Sequence, residues 1–204
     1  MFSSIELSLF EQGYKVCGLD EVGIGPLAGP VVAACCLIPP QSKKITLNDS
    51  KKCTPEERYS LFEQLSNDPN IYFEVGIIDN ELIDQINILK ASLLAMKQAL
   101  EKMKDMPNYA LIDGKYSPRL NIPHQKIIQG DGYIACIQAA SIIAKVVRDE
   151  LMIKADTLYP QYGFKEHKGY GTPEHLKAIK AHGPCPLHRQ SYDPVKQASL
   201  LHLL

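Results

Sequence analysis

The chain has 204 residues, enough for one domain with a substantial core and too few for two full-sized ones. Its 45% hydrophobic content is that of an ordinary globular protein, and no apolar run approaches the ~18 residues that span a bilayer, which argues against a membrane-spanning helix. A net charge of −1 neither demands nor excludes nucleic acid as a partner.

The first residues, Met1 to Glu6, lack the basic and apolar regions of a signal peptide, so a cytoplasmic protein without a membrane partner is expected. Lys15 to Asp20 and Val31 to Ile38 read as two strands, rich in β-branched residues, joined by a glycine turn and stopped at Pro39 and Pro40. The first strand ends on two adjacent carboxylates, Asp20 and Glu21. Successive strand side chains face opposite ways, so on an internal strand one of the two occupies a largely buried place, where a divalent cation is the obvious compensation. Gly23, Gly25 and Gly29 follow at once and let the backbone come close to a ligand.

Thr54, Pro55 and Glu57 have the spacing of an N-cap, a first helical proline and a capping box, which predicts a helix to about Leu65. Ile71 to Ile78 reads as a third strand. Ile86, Leu89, Leu93, Leu100 and Met103 recur at helical steps and predict an amphipathic helix over 86–103. Tyr109 to Asp113 and Gln125 to Gln129 read as short strands, followed by a long helix from about Tyr133 to Lys154 and a shorter one near Glu174 to Ala181. The sequence does not assign a form to the segment after that helix. The six cysteines, Cys17, Cys35, Cys36, Cys53, Cys136 and Cys185, contain no C-x-x-C pair and lie mostly in apolar context, so they read as reduced core residues.

Two more carboxylates stand at strand ends, Asp113 before Gly114 and Asp131 before Gly132. Each alone is an ordinary Asp-Gly turn. Together with Asp20 and Glu21 they make four acids that an open α/β sheet can gather at one edge. Their repulsion would raise some of their pKa values unless cations lay between them, and hard oxygen ligands favour magnesium or manganese. Near the C-terminus, Lys165, Lys168, Lys177, Lys180 and Arg189, with His167, His175, His182 and His188, face only Glu166 and Glu174. That run reads either as a phosphate-binding face or, more plainly, as a solvated helix surface. The histidine separations do not match a helical metal-binding pair.

Gly18 to Pro30, Leu47 to Lys52, Leu111 to Gly114, Gly130 with Asp131, Ala139 to Asp149, and His167 to Thr172 together resemble bacterial ribonuclease HII, the type II ribonuclease H, along almost the whole chain and in order. The resemblance implies an α/β, ribonuclease H-like fold with a mixed central sheet flanked by helices. It also implies a single domain over residues 1–204, with about 155–204 forming a C-terminal helical and loop part. It implies an endoribonuclease that hydrolyses the RNA strand of RNA/DNA hybrids by two-metal-ion catalysis. The family also incises DNA duplexes 5′ to embedded ribonucleotides, giving 3′-hydroxyl and 5′-phosphate ends. The implied metal ligands and catalytic residues are Asp20, Glu21, Asp113 and Asp131, holding two divalent cations, Mg2+ or Mn2+. Gly23, Ile24 and Gly25 would meet the ribonucleotide 2′-hydroxyl, Tyr170 would stack at the RNA/DNA junction, and Ser50, Lys51 and Lys168 resemble phosphate-contacting residues. A monomer is expected.

Ile24 departs from the pattern, because the family turn usually carries a basic residue there; backbone contacts survive that change and a side-chain contact to phosphate does not. Tyr170 also reads as a loop aromatic folded onto the core, Ser50 and Lys51 as a polar loop before the Thr54 cap, and Asp149 as an ion-pair partner on the long helix. Gly23, Gly25 and Ala28 formally fit a dinucleotide fingerprint, but the residues that follow read as a strand where that motif needs a helix. A different two-metal phosphoesterase would differ in not requiring a 2′-hydroxyl. The type III sister family is disfavoured by the short stretch before Asp20. Gln197, Leu200, Leu203 and Leu204 only faintly echo a sliding-clamp peptide, so no clamp contact through the C-terminus is expected.

Overall fold

In the computed structural model, residues 2–42, 45–47, 50 and 52–201 are described, Leu201 without its side chain. Lys51, Leu203 and Leu204, named above, lie outside the described residues.

Five strands form one mixed sheet in the order β3-β2-β1-β4-β5. β2 (Val31–Leu37) runs antiparallel to both its neighbours, β1 (Val16–Val22) and β3 (Tyr72–Ile78), with Asp20 opposite Ala34. β4 (Tyr109–Asp113) lies parallel to β1, and β5 (His124–Ile127) parallel to β4. The carboxyl ends of β1, β4 and β5 therefore share one edge, the place where Asp20, Asp113 and the turn after β5 were expected to meet.

Two helices close the faces. On one side Cys17, Leu19, Val31, Ala33, Cys35 and Ile112 pack with Ala91, Ala95, Met96 and Ala99 of α4 (Ile88–Glu101). On the other, Val32, Ala34 and Cys36 pack with Ala139, Ala140, Ile142 and Ile143 of α5 (Ala135–Leu158), and α2 (Pro55–Asn67) adds Leu65. The α5 contact is so close that a Cβ on Gly18 would lie 2.2 Å from the Cys136 carbonyl carbon. All six cysteines are free and buried, as expected.

Thr54 caps α2 with the expected capping box, Glu57 reaching back to the Thr54 amide at 2.8 Å. The helix expected over 86–103 begins instead at Ile88. Asn87 takes a positive φ of 70°, ends α3 (Asn80–Ile86) and caps α4 through its side chain, so Ile86 belongs to the preceding helix. α1 (Ser4–Glu11) was not expected either, and it carries an important contact. The wholly buried Glu6 accepts the amides of Ala135 at 3.2 Å and Cys136 at 2.9 Å, capping α5 where Ile134 offers no side-chain cap. A carboxylate at a helix N-terminus satisfies open donors and meets the positive end of the dipole.

Beyond α5 lie α6 (Phe164–His167), α7 (Pro173–His182) and α8 (Asp193–Leu201), with α7 opening on its Thr172 cap. Leu27, Ala28 and Met152 pack with Phe164, Ile179, Cys185 and Val195. This C-terminal part thus docks directly on the glycine turn after β1. No described helix is long and apolar enough to cross a membrane.

Candidate active site

Strand alternation decides which acids meet. Asp20 shares a face with Val16 and Val22, towards α5, whereas Glu21 shares the face of Cys17 and Leu19. Asp113, two places after Leu111, points to the Asp20 side, and Asp131 sits in the short 3-10 turn Gly130–Gly132 that precedes α5. Asp20, Asp113 and Asp131 each offer an oxygen, and these oxygens lie within 4.8 Å of one another. Glu21 stands outside that trio but close enough for its charge to act on Asp20.

Each acid has a support. The Asp113 carboxylate accepts the Gly130 amide at 2.7 Å, and Asp20 accepts the Glu21 amide at 2.8 Å and a hydrogen bond from Ser141 on α5. Burial, then the charges of Glu21 and Asp113, push the Asp20 carboxyl well above the usual carboxylate range. A cation among these oxygens would reverse that cost. The donor set is all carboxylate, the chemistry that suits Mg2+ or Mn2+, so the residues fit such an ion.

Ser50, expected at a phosphate, is buried, and its hydroxyl lies 2.8 Å from that of Ser141. Its carbonyl accepts from Arg58 at 2.9 and 3.1 Å. Ser50 therefore backs the residue that supports Asp20. Asp149 pairs with Lys145 at 2.7 Å and lies 3.9 Å from Arg58, in line with its reading as an ion-pair partner.

The glycine turn is held from below by two wholly buried arginines. Arg189 donates to the carbonyls of Gly23 at 2.6 Å, Ile24 at 3.0 Å and Gly29 at 2.9 Å. Arg148 donates to Pro30 at 2.9 Å, Ala28 at 3.2 Å and Lys168 at 2.9 Å. Burial, then the neighbouring Arg189 charge, lower the Arg148 pKa to about 10. Gly23 has φ of 99°, and a Cβ there would lie 2.4 Å from Arg148 Nε, so the turn admits no side chain at that point. Ile24 is 42% exposed rather than tucked beneath the turn.

Tyr170 is 39% exposed, and a Cβ on Gly25 would lie 3.8 Å from its ring. Arg148 sits 5.8 Å from the ring centroid. The Lys168 ammonium donates to the Lys165 carbonyl. The basic run from Lys165 to Arg189 is not one solvated face, because His175, His188 and Arg189 are wholly buried. Sequence reasoning did not single out Ser141, Arg148 or Glu6, and it counted Arg189 as surface charge; each acts on a partner distant in sequence, so spacing carries no signal for it.

A family model described as Ribonuclease HII matches residues 17–195. The chain is 50% identical over 197 residues to Ribonuclease HII of Chlamydia trachomatis serovar L2, covering 96% of this chain and 90% of that relative. Its fold matches the crystal structure of ribonuclease H2 from Pyrococcus horikoshii OT3 with a TM-score of 0.78 at 23% identity, over 91% of this chain and 97% of that one. Bst-RNase HIII in complex with Mn2+ matches with a TM-score of 0.68 at 18% identity, over 91% and 69% of the two chains. The mixed sheet with helices on both faces is the ribonuclease H-like fold of these neighbours.

Proposed function

The chain belongs to the ribonuclease HII family and is a ribonuclease H acting on RNA/DNA hybrids with a divalent metal, and from that premise we propose how its residues divide the work. Asp20, Asp113, Asp131 and the adjacent Glu21 hold two divalent cations, Mg2+ or Mn2+, and the enzyme also incises DNA duplexes 5′ to a single embedded ribonucleotide. The observation that carries this reading is the carboxylate trio within 4.8 Å, one member of it buried at a cost that a cation would relieve. Cations bound there would activate a water and stabilise the leaving 3′-oxygen, so that the products end in 3′-hydroxyl and 5′-phosphate.

The chain's own groups set the geometry. Ser141, backed by Ser50, aims Asp20, and the Gly130 amide aims Asp113. Arg189 and Tyr192 occupy the carbonyls of Gly23 and Ile24, and we assign the turn's amides to the 2′-hydroxyl oxygen of the ribonucleotide. Tyr170, half out of the surface beside Gly25, stacks on the neighbouring sugar. Lys168 lies near the phosphates of the same strand. The grip of Arg189 on the turn supports a single working domain over 1–204, and we read it as a cytoplasmic monomer.

The test is a DNA duplex carrying one ribonucleotide, incubated with and without Mg2+ or Mn2+, with the cut mapped. One metal-dependent incision on the 5′ side of the ribonucleotide is expected. Equal cleavage of an all-DNA control would mark a phosphoesterase indifferent to the 2′-hydroxyl and overturn the reading.

A further inference from the structure

Beneath Tyr170 two buried histidines form a one-way hydrogen-bond chain. The Cys185 amide donates to His188 Nδ1 at 2.9 Å, so that nitrogen carries a lone pair and the His188 proton sits on Nε2. The Cys185 carbonyl, 3.2 Å from the same nitrogen, already accepts the His188 amide at 3.0 Å. His188 Nε2 lies 3.1 Å from His175 Nε2, and His175 Nδ1 lies 2.9 Å from the Tyr170 carbonyl. A carbonyl only accepts, so His175 is protonated on Nδ1 and its Nε2 lone pair receives the His188 proton. The directions agree along the whole chain: Cys185 amide to His188, His188 to His175, His175 to Tyr170.

Aromatic rings close the chain against water. His167 stacks on His175 with centroids 4.3 Å apart, and it is itself fixed by Tyr162 and Gly169 at 2.7 and 3.2 Å. Phe164 meets His175 edge-on at 5.5 Å, and Tyr162 meets His188 at 4.9 Å. We propose that His188 and His175 are positioning residues for substrate recognition, their relay fixing the main chain of Tyr170 so that its ring stands beside Gly25. The proposal rests on the assignment of Tyr170 to the substrate.

The acceptor of a buried donor, here the Tyr170 carbonyl, cannot be moved without leaving that donor unpaired, which makes the relay a stiff support for a half-exposed ring. Burial lowers both histidines to about 4, so the two rings are neutral at pH 7. His188→Asn keeps an acceptor for the Cys185 amide but does not reach His175, whereas the longer amide of His188→Gln places a donor near the Nε2 position.

The test combines imidazole 15N shifts of the parent protein at pH 7 with incision kinetics on a duplex holding one ribonucleotide. The shifts should show His175 protonated on Nδ1 and His188 on Nε2; the opposite tautomer or an imidazolium at either ring overturns the relay, whatever the variants do. His188→Asn should lower kcat/KM by about tenfold, the scale of one hydrogen bond, with His188→Gln restoring most of it. Added to Tyr170→Ala, His188→Asn should cost nothing further. A Tyr170→Ala variant as active as the parent would defeat the assignment of Tyr170 and the relay's purpose with it. An impaired Tyr170→Ala with an unaffected His188→Asn, or with the two losses multiplying, would defeat the relay alone. If His188→Asn does not fold, the tautomers decide together with His175→Gln, which should lower kcat/KM in the parent and cost nothing further in the Tyr170→Ala background.

Discussion

The Asp113 carboxylate accepts the Gly130 amide at 2.7 Å, and that bond ties the end of β4 to the turn carrying Asp131. Asp113→Asn keeps an oxygen for the amide while removing a charge that pushes up the Asp20 carboxyl. In chelator this variant should melt at or above the parent temperature, and at saturating metal it should cleave at least roughly 100-fold more slowly, a loss at the top of the range for groups that merely support a ligand. Asp113→Ala should be inactive and also less stable than Asp113→Asn. Parent-level turnover in Asp113→Asn at saturating metal would remove Asp113 from the site.

Glu6 couples the N-terminal helix to α5 and so to Ser141. Glu6→Ala strips the acceptor from the Ala135 and Cys136 amides in a dry place and should cost about 3 kcal/mol in urea unfolding, the upper figure for a hydrogen bond to a charged group. The exposed Glu11→Ala is the control. Equal unfolding midpoints for the two variants would show that the cap is dispensable.

His175 and His188 are lowered from the ordinary 6.5 to about 4, chiefly by burial. The unfolded chain takes up these protons below about pH 6.5 and the folded one only near 4, so the unfolded state binds more protons across that window. Stability from this source is complete above about 6.5 and is lost as pH falls towards 4. The unfolding free energy of the parent should therefore drop between pH 6.5 and 4.5 more steeply than that of His175→Gln. Parallel slopes would contradict the buried neutral pair.

Ile24 is exposed at the turn, so Ile24→Arg places its charge in solvent and should leave the fold intact. If the turn lies on the substrate backbone, one more neutralised phosphate should steepen the log-log salt dependence of duplex binding by about 0.9. KM should fall more than kcat changes. A slope equal to the parent's would place this side chain away from the phosphates.

Much of this architecture was legible because its signals are local. Thr54, Pro55 and Glu57 mark a cap by their spacing alone, and Asp113 and Asp131 stand out as acids before glycines at strand ends. The eight residues of α1 and the seven of α3 were missed because helices so short owe their stability to tertiary contacts rather than to propensity. Arg189 reads as one more charge in a basic run, and Arg148 carries no signal at all, until the fold wraps the carbonyls of Gly23 to Pro30 around them. The pairing of Ser50 with Ser141 joins residues 91 positions apart, a separation across which no periodicity speaks.

The most direct test of the central claim, that the three converging aspartates form a divalent-cation site, is the melting temperature in manganese against chelator. Binding to the folded site alone, at tenfold over its Kd, stabilises the parent by about 1.4 kcal/mol. For a chain of this size that is an upward shift of about 3–6 °C. That shift is expected in the parent and should be lost in Asp131→Asn, with both proteins folded in chelator. An equal shift in the two proteins would contradict the claim.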